Sequence, residues 1–255
     1  MKIATWNVNS LRVRLAHVLA WLQQHGPDLL CLQETKIIDA EFPAEEFRKI
    51  GYETAYAGQK TYNGVANISR LGAQEIQIGL PNMEDPQRRV LAATYGDTRI
   101  INVYVPNGSA VGSEKYIYKL AWLKQLAGYL QTQLKDYKKL IVLGDFNIAP
   151  EDRDVHDPAA WLGEVLVSEE ERRAFRELIA LGLTDLFRNF PQEEKCFSWW
   201  DYRMGAFRRN MGLRIDHVLC SQALIKPCTA CYIDKEPRRL ERPADHTPVI
   251  AEFCS

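Results

Sequence analysis

Hydrophobic residues along this chain fall mostly into short runs bounded by polar turns, a pattern typical of β-strands. Some of these runs, such as Leu29–Leu32, are continuously apolar, which indicates strands that are covered on both faces. The pattern predicts strands at Lys2–Val8, Leu29–Leu32, Tyr52–Ala57, Val65–Ser69, Glu75–Ile78, Val90–Tyr95, Ile100–Val105, Leu140–Leu143, Leu213–Cys220 and Pro248–Phe253.

Other segments repeat their apolar residues at helical spacing. A first predicted helix follows Ser10, a candidate N-cap, and ends at Gly26-Pro27. A second spans residues 114–137, which contain no proline, and a third begins at the capping box formed by Ser168 and Glu171. The apolar stripe of the first helix consists of Leu15, Val18, Leu19 and Leu22.

The order of these elements indicates the fold class. Strands outnumber helices and follow one another in groups, which favours an α/β fold of two stacked, mostly antiparallel β-sheets flanked by helices. No internal repeat, low-complexity tract or Pro/Gly/Ser-rich linker divides the chain. We therefore predict one domain over residues 1–255.

The charge balance narrows the class of protein. Thirty-two basic residues face 33 acidic ones, so the chain lacks the positive excess of a general nucleic-acid coat. The pairs Arg88-Arg89, Arg208-Arg209 and Arg238-Arg239 fit either a solvated surface or local phosphate contacts. No stretch approaches the roughly 20 apolar residues that span a bilayer, and the first residues lack the apolar run of a signal peptide. We predict a cytoplasmic protein without membrane contact.

The six cysteines do not indicate a metal site or a disulfide framework. Cys228 and Cys231 form a C-x-x-C pair, but no second pair or nearby histidine completes a zinc site. We predict reduced, partly buried thiols.

Polar side chains stand out where the predicted strands end. Any one of them could form a local turn, since Asn and Asp are common at strand ends. Four carboxylates gathered at one sheet edge would repel each other unless a cation neutralised them. Oxygen ligands with little sulfur or imidazole favour Mg²⁺, with Mn²⁺ as a substitute. The residues concerned are Asn7, Asn9, Glu34, Asp145, Asn147, Asp216, Asp245 and His246.

Taken in order, these motifs resemble the exonuclease III branch of the endonuclease/exonuclease/phosphatase superfamily, which includes the apurinic/apyrimidinic endonucleases. The similarity runs from Trp6-Asn7-Val8-Asn9 to Asp245-His246-Thr247-Pro248. Between them lie Gln33-Glu34, Tyr104-Val105-Pro106-Asn107-Gly108, Gly144-Asp145-Phe146-Asn147, Phe197-Ser198-Trp199-Trp200-Asp201-Tyr202-Arg203 and Gly212-Leu213-Arg214-Ile215-Asp216.

The resemblance implies a four-layer α/β sandwich and a Mg²⁺-dependent DNA repair phosphodiesterase. Its expected activities are 3′–5′ exonuclease, 3′-end processing and abasic-site incision. The expected partner is double-stranded DNA with 3′ ends or abasic sites, bound by a monomer.

The resemblance also implies a role for each site residue. Glu34, with Asn7 and Asp245, would hold the metal ion, and Asp145, Asn147 and His246 also count among the candidate ligands. Asp145 would deprotonate the attacking water, and Asn147 would contact the scissile phosphate or the metal.

The other implied roles concern the phosphate and the DNA. His246, paired with Asp216, would stay charged and bind a phosphate oxygen, while Tyr104 would protonate or stabilise the leaving oxygen. The expected DNA contacts are Asn107, Trp199, Trp200, Arg203 and Leu213, of which the tryptophans and Leu213 would form a pocket for an extruded sugar.

One segment departs from the family pattern. Aligned on Glu171-Arg172, Leu166 replaces a Gly or Ser, Val167 replaces a Phe, and a Pro is missing. We expect Leu166 to narrow the room for an extruded abasic sugar and to favour 3′-end processing over abasic-site incision.

Two alternatives differ in class from a DNA-cleaving enzyme. A non-catalytic binding protein on the same scaffold is disfavoured because all four carboxylates, Asn147 and His246 are present. A phosphatase for small phosphorylated molecules is disfavoured by the tryptophan-rich block.

Overall fold

The computed structural model of this chain describes residues 1–254, in which two six-stranded β-sheets carry the fold. Strands are numbered in chain order. The first sheet runs, in spatial order, β13 (Cys228–Ile233), β14 (Val249–Phe253), β1 (Lys2–Asn7), β2 (Leu29–Gln33), β4 (Val65–Ser69) and β3 (Glu53–Ala57). The second runs β5 (Gln74–Ile78), β6 (Val90–Tyr95), β7 (Thr98–Tyr104), β8 (Leu140–Asp145), β12 (Asp216–Ser221) and β9 (Leu183–Asp185).

Both sheets are mixed but mostly antiparallel, as predicted. Among the strands of residues 1–254, only the pairs β1–β2 and β7–β8 are parallel, and each is joined by a crossover that contains a helix. The described part of the chain contains four α-helices: α1 (Leu11–His25), α2 (Ala44–Lys49), α3 (Glu114–Asp136) and α4 (Glu169–Ala180). A short hairpin, β10 (Trp199–Trp200) with β11 (Gly212–Leu213), completes the strands.

Three buried clusters hold the layers together. One packs α1 and α2 on the first sheet and contains Trp21 of α1, Phe47 of α2 and Trp6 of β1, with the rings of Trp21 and Trp6 in contact. A second packs α3 and α4 on the other sheet, and the third lies between the sheets. Because successive strand residues face opposite sides, each central strand contributes to two of these clusters. The predicted four-layer sandwich is confirmed.

One local prediction holds only in position, and another is wrong. Ser10 is the N-cap residue of α1, as predicted, but its side chain makes no capping hydrogen bond: its φ is 90°, and its backbone N–H donates to the Glu34 carbonyl at 2.7 Å, which ties the loop to the end of β2. The predicted strand Leu213–Cys220 is two strands, because Arg214 turns away to meet Asp154 and the chain passes from the hairpin into the sheet.

The capping box at α4 is present as predicted, with Ser168 and Glu171 bonded reciprocally. All six cysteines are free, as predicted. Within residues 1–254, no helix is both long and apolar enough to cross a lipid bilayer. The cytoplasmic location stays a prediction.

Candidate active site

The strand register brings two acidic residues face to face at one end of the sandwich. In the antiparallel pair β8–β12, Asp145 lies directly opposite Asp216. Both continue the rows of apolar side chains that face the other sheet, after Leu143 on β8 and before Val218 on β12. Both are almost fully buried. The acidic pair therefore stands where the inter-sheet core ends.

The first sheet contributes an amide that bridges two carboxylates. Asn7, the last residue of β1, donates through Nδ2 to Glu34 Oε1 at 2.9 Å and to Asp145 Oδ2 at 2.8 Å. Parallel pairing places Asn7 beside Gln33, so Glu34 is the next residue beyond the strand, with a φ of 50°. Asn7 therefore connects the acidic groups of the two sheets.

His246 lies between the facing acids. Its Nδ1 is 2.9 Å from Asp216 Oδ2, and its Nε2 is 3.7 Å from Asp145 Oδ2. Ser198 Oγ donates to the same Asp216 oxygen at 2.7 Å and fixes that carboxylate. Burial alone would lower the pKa of His246, but the carboxylates of Asp216, Asp145 and Asp245 outweigh it and raise the pKa to about 10. The imidazole is therefore positively charged at neutral pH.

This charge state leads to a prediction for the metal-free protein. The ring of His246 is expected to titrate near pH 10, well above the usual value of 6.5. Because the pKa is raised on folding, protonated His246 stabilises the fold fully below about pH 6.5, and this contribution is lost as the pH rises through about 10. Ring nitrogen and carbon chemical shifts, followed by NMR from pH 6 to 11 in the presence of EDTA, measure it.

His217 is an internal control in the same spectra. Burial, helped by the charge of Arg214, lowers the pKa of His217 to about 4, so its ring should not titrate over that range. Asp216→Asn should bring the pKa of His246 down. A His246 titration near 6.5 in the wild-type protein would contradict the paired imidazolium.

The site contains more carboxylates than positively charged side chains, as a site for a metal cation requires. Burial raises the pKa of Asp145, and the charges of Asp216 and Glu34 add to this, while His246 and the Asn7 amide oppose it. The Oδ1 atom of Asp216 is buried and has no hydrogen-bond partner among residues 1–254. Ligand atoms of Glu34, Asp145 and His246 all lie within 4.8 Å of one another. The carboxylates of Glu34 and Asp145 in this group fit a hard divalent cation.

Tyr104 and two asparagines line the same edge from the second sheet. Asn147 follows β8 with a φ of 51°, and its backbone N–H donates to Asp145 Oδ1 at 2.8 Å. Asn107, exposed beyond β7, donates through Nδ2 to Asn147 Oδ1 at 3.2 Å. Burial, then Glu34 and Asp145, raise the pKa of Tyr104, while Arg89 above its ring lowers it. The phenol therefore keeps its proton at neutral pH.

Asp245 lies apart from the cluster that fits a metal. Its carboxylate accepts hydrogen bonds from Asn9 Nδ2 at 3.0 Å and from Trp199 Nε1 at 3.1 Å. Burial alone would raise its pKa, but His246 and these hydrogen bonds lower it below the usual value. Asp245 is thus a fixed anion at the rim, and its role as a metal ligand stays a prediction.

The structure covers two of the three residues predicted to form the sugar pocket, which itself stays a prediction. Trp200 is fully buried, and its Nε1 donates to Asn210, so it offers no free surface to a sugar in this structure. Leu213 is also fully buried, and Leu166 fills the space beside it. Only Trp199 is partly exposed.

The predicted DNA contact Arg203 lies outside the site. It is exposed and pairs with Asp201 at 2.7 Å. Its contact with DNA stays a prediction.

Several residues at the site were missed in the sequence. Lys36 pairs with Glu34 at 2.9 Å, and its place two residues after Glu34 was the available signal. The Arg89 guanidinium lies 4.7 Å from the Tyr104 ring centre. No signal in the sequence indicated this contact, because it depends on the pairing of β6 with β7. The clamp of Ser198 on Asp216 was hidden within a motif noted for its tryptophans.

A four-layer α/β sandwich with a carboxylate-rich, metal-compatible site at one end defines the class of this protein. A model of the endonuclease/exonuclease/phosphatase family matches residues 4–246. The exodeoxyribonuclease III of Haemophilus influenzae is 36% identical over 266 residues, covering 99% of this chain and 100% of the relative. The chain therefore belongs to the endonuclease/exonuclease/phosphatase family.

Solved structures agree with this assignment. The 3′ phosphatase NExo from Neisseria, bound to a product DNA hairpin, is 46% identical, with a TM-score of 0.98 and full coverage of both chains. An AP endonuclease from Archaeoglobus fulgidus is 40% identical, with a TM-score of 0.96 and full coverage of both chains. The resemblance noted in the sequence is confirmed.

Proposed function

We propose that this chain is a Mg²⁺-dependent DNA repair phosphodiesterase with one catalytic centre. The observation that carries the proposal is the clamp of charged His246 between Asp216 and Asp145, beside Glu34. Residues 1–255 form one catalytic domain that acts as a monomer on double-stranded DNA. Its reactions are 3′–5′ exonuclease cleavage, 3′-end processing and abasic-site incision.

The attacking water is activated by Asp145. Its carboxylate is oriented by the Asn147 backbone N–H and the Asn7 amide, so one geometry is maintained for proton transfer. The ionised form must accept the water proton, and a facing cation favours that form. General-base assistance of this kind typically accelerates a reaction by about 10²–10⁴-fold.

Charge on the phosphate is met by His246 and Tyr104. Asp216 holds Nδ1 of His246, which leaves the Nε2–H free to donate to a phosphate oxygen as negative charge develops there. Tyr104 retains its proton and donates it to the leaving oxygen. Asn107 and Asn147, joined by their side chains, position the scissile phosphate.

A divalent cation would be held by Glu34 and Asp145, with the Asn7 carboxamide beside them. When bound, Mg²⁺ or Mn²⁺ supplies positive charge that stabilises the negative phosphate oxygens. His246 is a weaker candidate ligand than the sequence implied, because its protonated ring has no free lone pair.

The names of the relatives support DNA as the substrate. They describe an exodeoxyribonuclease, a 3′ phosphatase bound to DNA and an AP endonuclease. They favour DNA cleavage over the two alternatives, which are activity on small phosphorylated molecules and binding without cleavage.

The test is product analysis on defined DNA duplexes. The panel contains recessed 3′ ends, 3′-phosphate nicks and internal abasic analogues, each with Mg²⁺ and with EDTA. Metal-dependent cleavage or dephosphorylation of DNA is expected. Release of phosphate from sugar phosphates alone, or binding without any product, would favour the alternatives.

Leu166 sets the preference between two of these substrates. Its side chain is almost fully buried beside Leu213, and Trp199, the partly exposed residue of the predicted sugar pocket, packs on the same cluster. Its φ of 78° is a conformation that favours glycine. We expect the wild-type protein to process 3′ ends faster than it incises an internal abasic analogue.

Shortening this side chain should change that preference. Leu166→Ser and Leu166→Gly are expected to raise abasic-site incision relative to 3′-end processing by about tenfold, because a smaller side chain leaves more room for an extruded sugar and a change of this size in a pocket typically alters discrimination by ~1–3 kcal/mol. Initial rates on matched duplexes measure the ratio. Val167→Ala, which shortens a neighbouring buried side chain, is the control. An unchanged ratio in both Leu166 variants would rule out this role.

A further inference from the structure

Lys119 is a fully buried lysine on α3, outside the acidic cluster. It forms an ion pair with Glu171, the capping-box residue of α4, whose side chain is equally buried. Burying a charged pair is costly, and apolar residues of similar volume often stabilise a protein as well or better. A requirement for stability alone therefore does not explain this pair.

The remaining hydrogen bonds of the Lys119 ammonium go to the two asparagine loops of the site. Nζ donates to the backbone carbonyl of Asn147 at 2.6 Å and to that of Asn107 at 3.1 Å. All three N–H groups of the ammonium thus have acceptors. Two of these acceptors are backbone carbonyls of site residues, and the third is the Glu171 carboxylate. One loop follows β7 and the other follows β8, and above the ammonium the two asparagine side chains bond each other at 3.2 Å. Lys119 therefore holds the backbones of both loops in place.

The Glu171 carboxylate extends this connection to the wall beside Trp199. Its Oε1 accepts the Leu166 backbone N–H at 3.1 Å. Its Oε2 accepts the Ser168 backbone N–H at 3.1 Å and the Ser168 hydroxyl at 2.6 Å. The ion pair thus joins the two asparagine loops to the segment 166–168.

The loop after β7 is also fitted to the lysine stem. Gly108 has a φ of 95°, and a Cβ at this position would lie 3.1 Å from Lys119 Cδ and from Val165 Cγ2. The capping box itself needs only Ser168 and the Glu171 side chain, so it gives no reason for a cation here. The ammonium matches the two loop carbonyls instead.

We infer that Lys119 is a positioning residue for the reaction, acting through the backbones of Asn107 and Asn147. By holding both backbone carbonyls, Lys119 fixes the separation of the two asparagine side chains that would contact the scissile phosphate. Through Glu171 it also holds segment 166–168 in a fixed position relative to these two asparagines. This inference rests on the proposed nuclease function. A small displacement of groups that position a substrate can cost about 100-fold in rate.

The test removes both charges and keeps the capping box. In Lys119→Met with Glu171→Gln, methionine fills the lysine volume, and glutamine still serves the box. The cooperative thermal transition should remain, while kcat at saturating DNA and Mg²⁺ falls about 10–100-fold and KM changes little, because the loss lies in the bound complex. Single-turnover rates on the 3′-end and abasic duplexes should fall together.

The matched control is a buried cation at the opposite end of β7. Arg99 is almost fully buried and donates to Gln133 Oε1 at 2.9 Å, the Glu75 carbonyl at 2.8 Å and Thr94 Oγ1 at 3.2 Å. Arg99→Met also removes a buried cation with three acceptors, but it should leave kcat unchanged. A structural effect of losing any buried cation would affect both proteins alike.

The outcomes separate the two levels of the proposal. Wild-type kcat in the folded Met/Gln variant would overturn the positioning role, as would an equal loss of kcat in Arg99→Met. If the Met/Gln variant does not fold, Lys119→Gln with Glu171→Gln, a neutral hydrogen-bonding pair, is measured by the same criteria. Absence of metal-dependent DNA cleavage by the wild-type protein would instead contradict the proposed function.

Discussion

Replacing Asp145 by asparagine is expected to stop DNA cleavage while DNA binding is retained or improved. The substitution keeps the size of a nearly fully buried side chain that faces Asp216 and lies 3.7 Å from His246 Nε2. It removes the proton acceptor and a negative charge that repels the phosphate. Loss of the general base alone should lower turnover by about 10²–10⁴-fold, and loss of a candidate metal ligand should lower it further.

Single-turnover cleavage rates and fluorescence anisotropy with labelled duplexes check the two halves of this prediction. Asp97→Asn, which changes an exposed carboxylate between β6 and β7, is the control and should behave as wild type. Turnover of Asp145→Asn near the wild-type rate would mean that another residue activates the water.

Removing the carboxylate of Glu34 should abolish every nuclease activity at once. Glu34 is partly exposed at the mouth of the site, where it faces Asp145 through the shared Asn7 amide. With Glu34→Ala the cluster loses a carboxylate that would hold the cation, and EDTA should have the same effect on the wild-type protein. Exonuclease, 3′-phosphatase and abasic-site rates should fall together by orders of magnitude.

Mg²⁺ titrations of each activity distinguish loss of metal from loss of fold. Glu34→Ala should need far more Mg²⁺ for any residual rate, while its thermal unfolding in EDTA stays close to that of the wild-type protein. Glu53→Ala, an exposed carboxylate on β3, is the control. Survival of one activity at its normal rate would require a second catalytic centre.

Much of the fold could be predicted from the sequence because its strands are short, apolar and bounded by polar turns. The predicted Val65–Ser69 and Val90–Tyr95 match β4 and β6 residue for residue. The predicted strand from Leu213 failed because its break depends on Arg214, which turns toward Asp154, a residue distant in sequence. Local pattern cannot report a partner of that kind.

The sequence predicted which residues belong to the site better than it predicted how they are placed in space. Polar residues at strand ends identified Asn7, Asp145 and Asp216, but only the strand register places Asp145 opposite Asp216. The two tryptophans of the motif looked equivalent, yet alternation along β10 buries Trp200 and leaves Trp199 partly exposed.

Buried supports of the site were the hardest to see in the sequence. A lysine within an amphipathic helix is typical of a solvated face, so nothing around Lys119 indicates that it lies in the interior. Its burial depends on two loops and a second helix that meet only in the folded protein.

The pairing of the first strand with the last has a consequence for protein synthesis. β14 lies beside β1, with Lys2 opposite Glu252 and Thr5 opposite Val249. His246, just before β14, therefore joins the site only after the residues that precede it have been synthesised. A nascent polypeptide on the ribosome, or a fragment that ends before this point, lacks His246 and so lacks the complete acidic site.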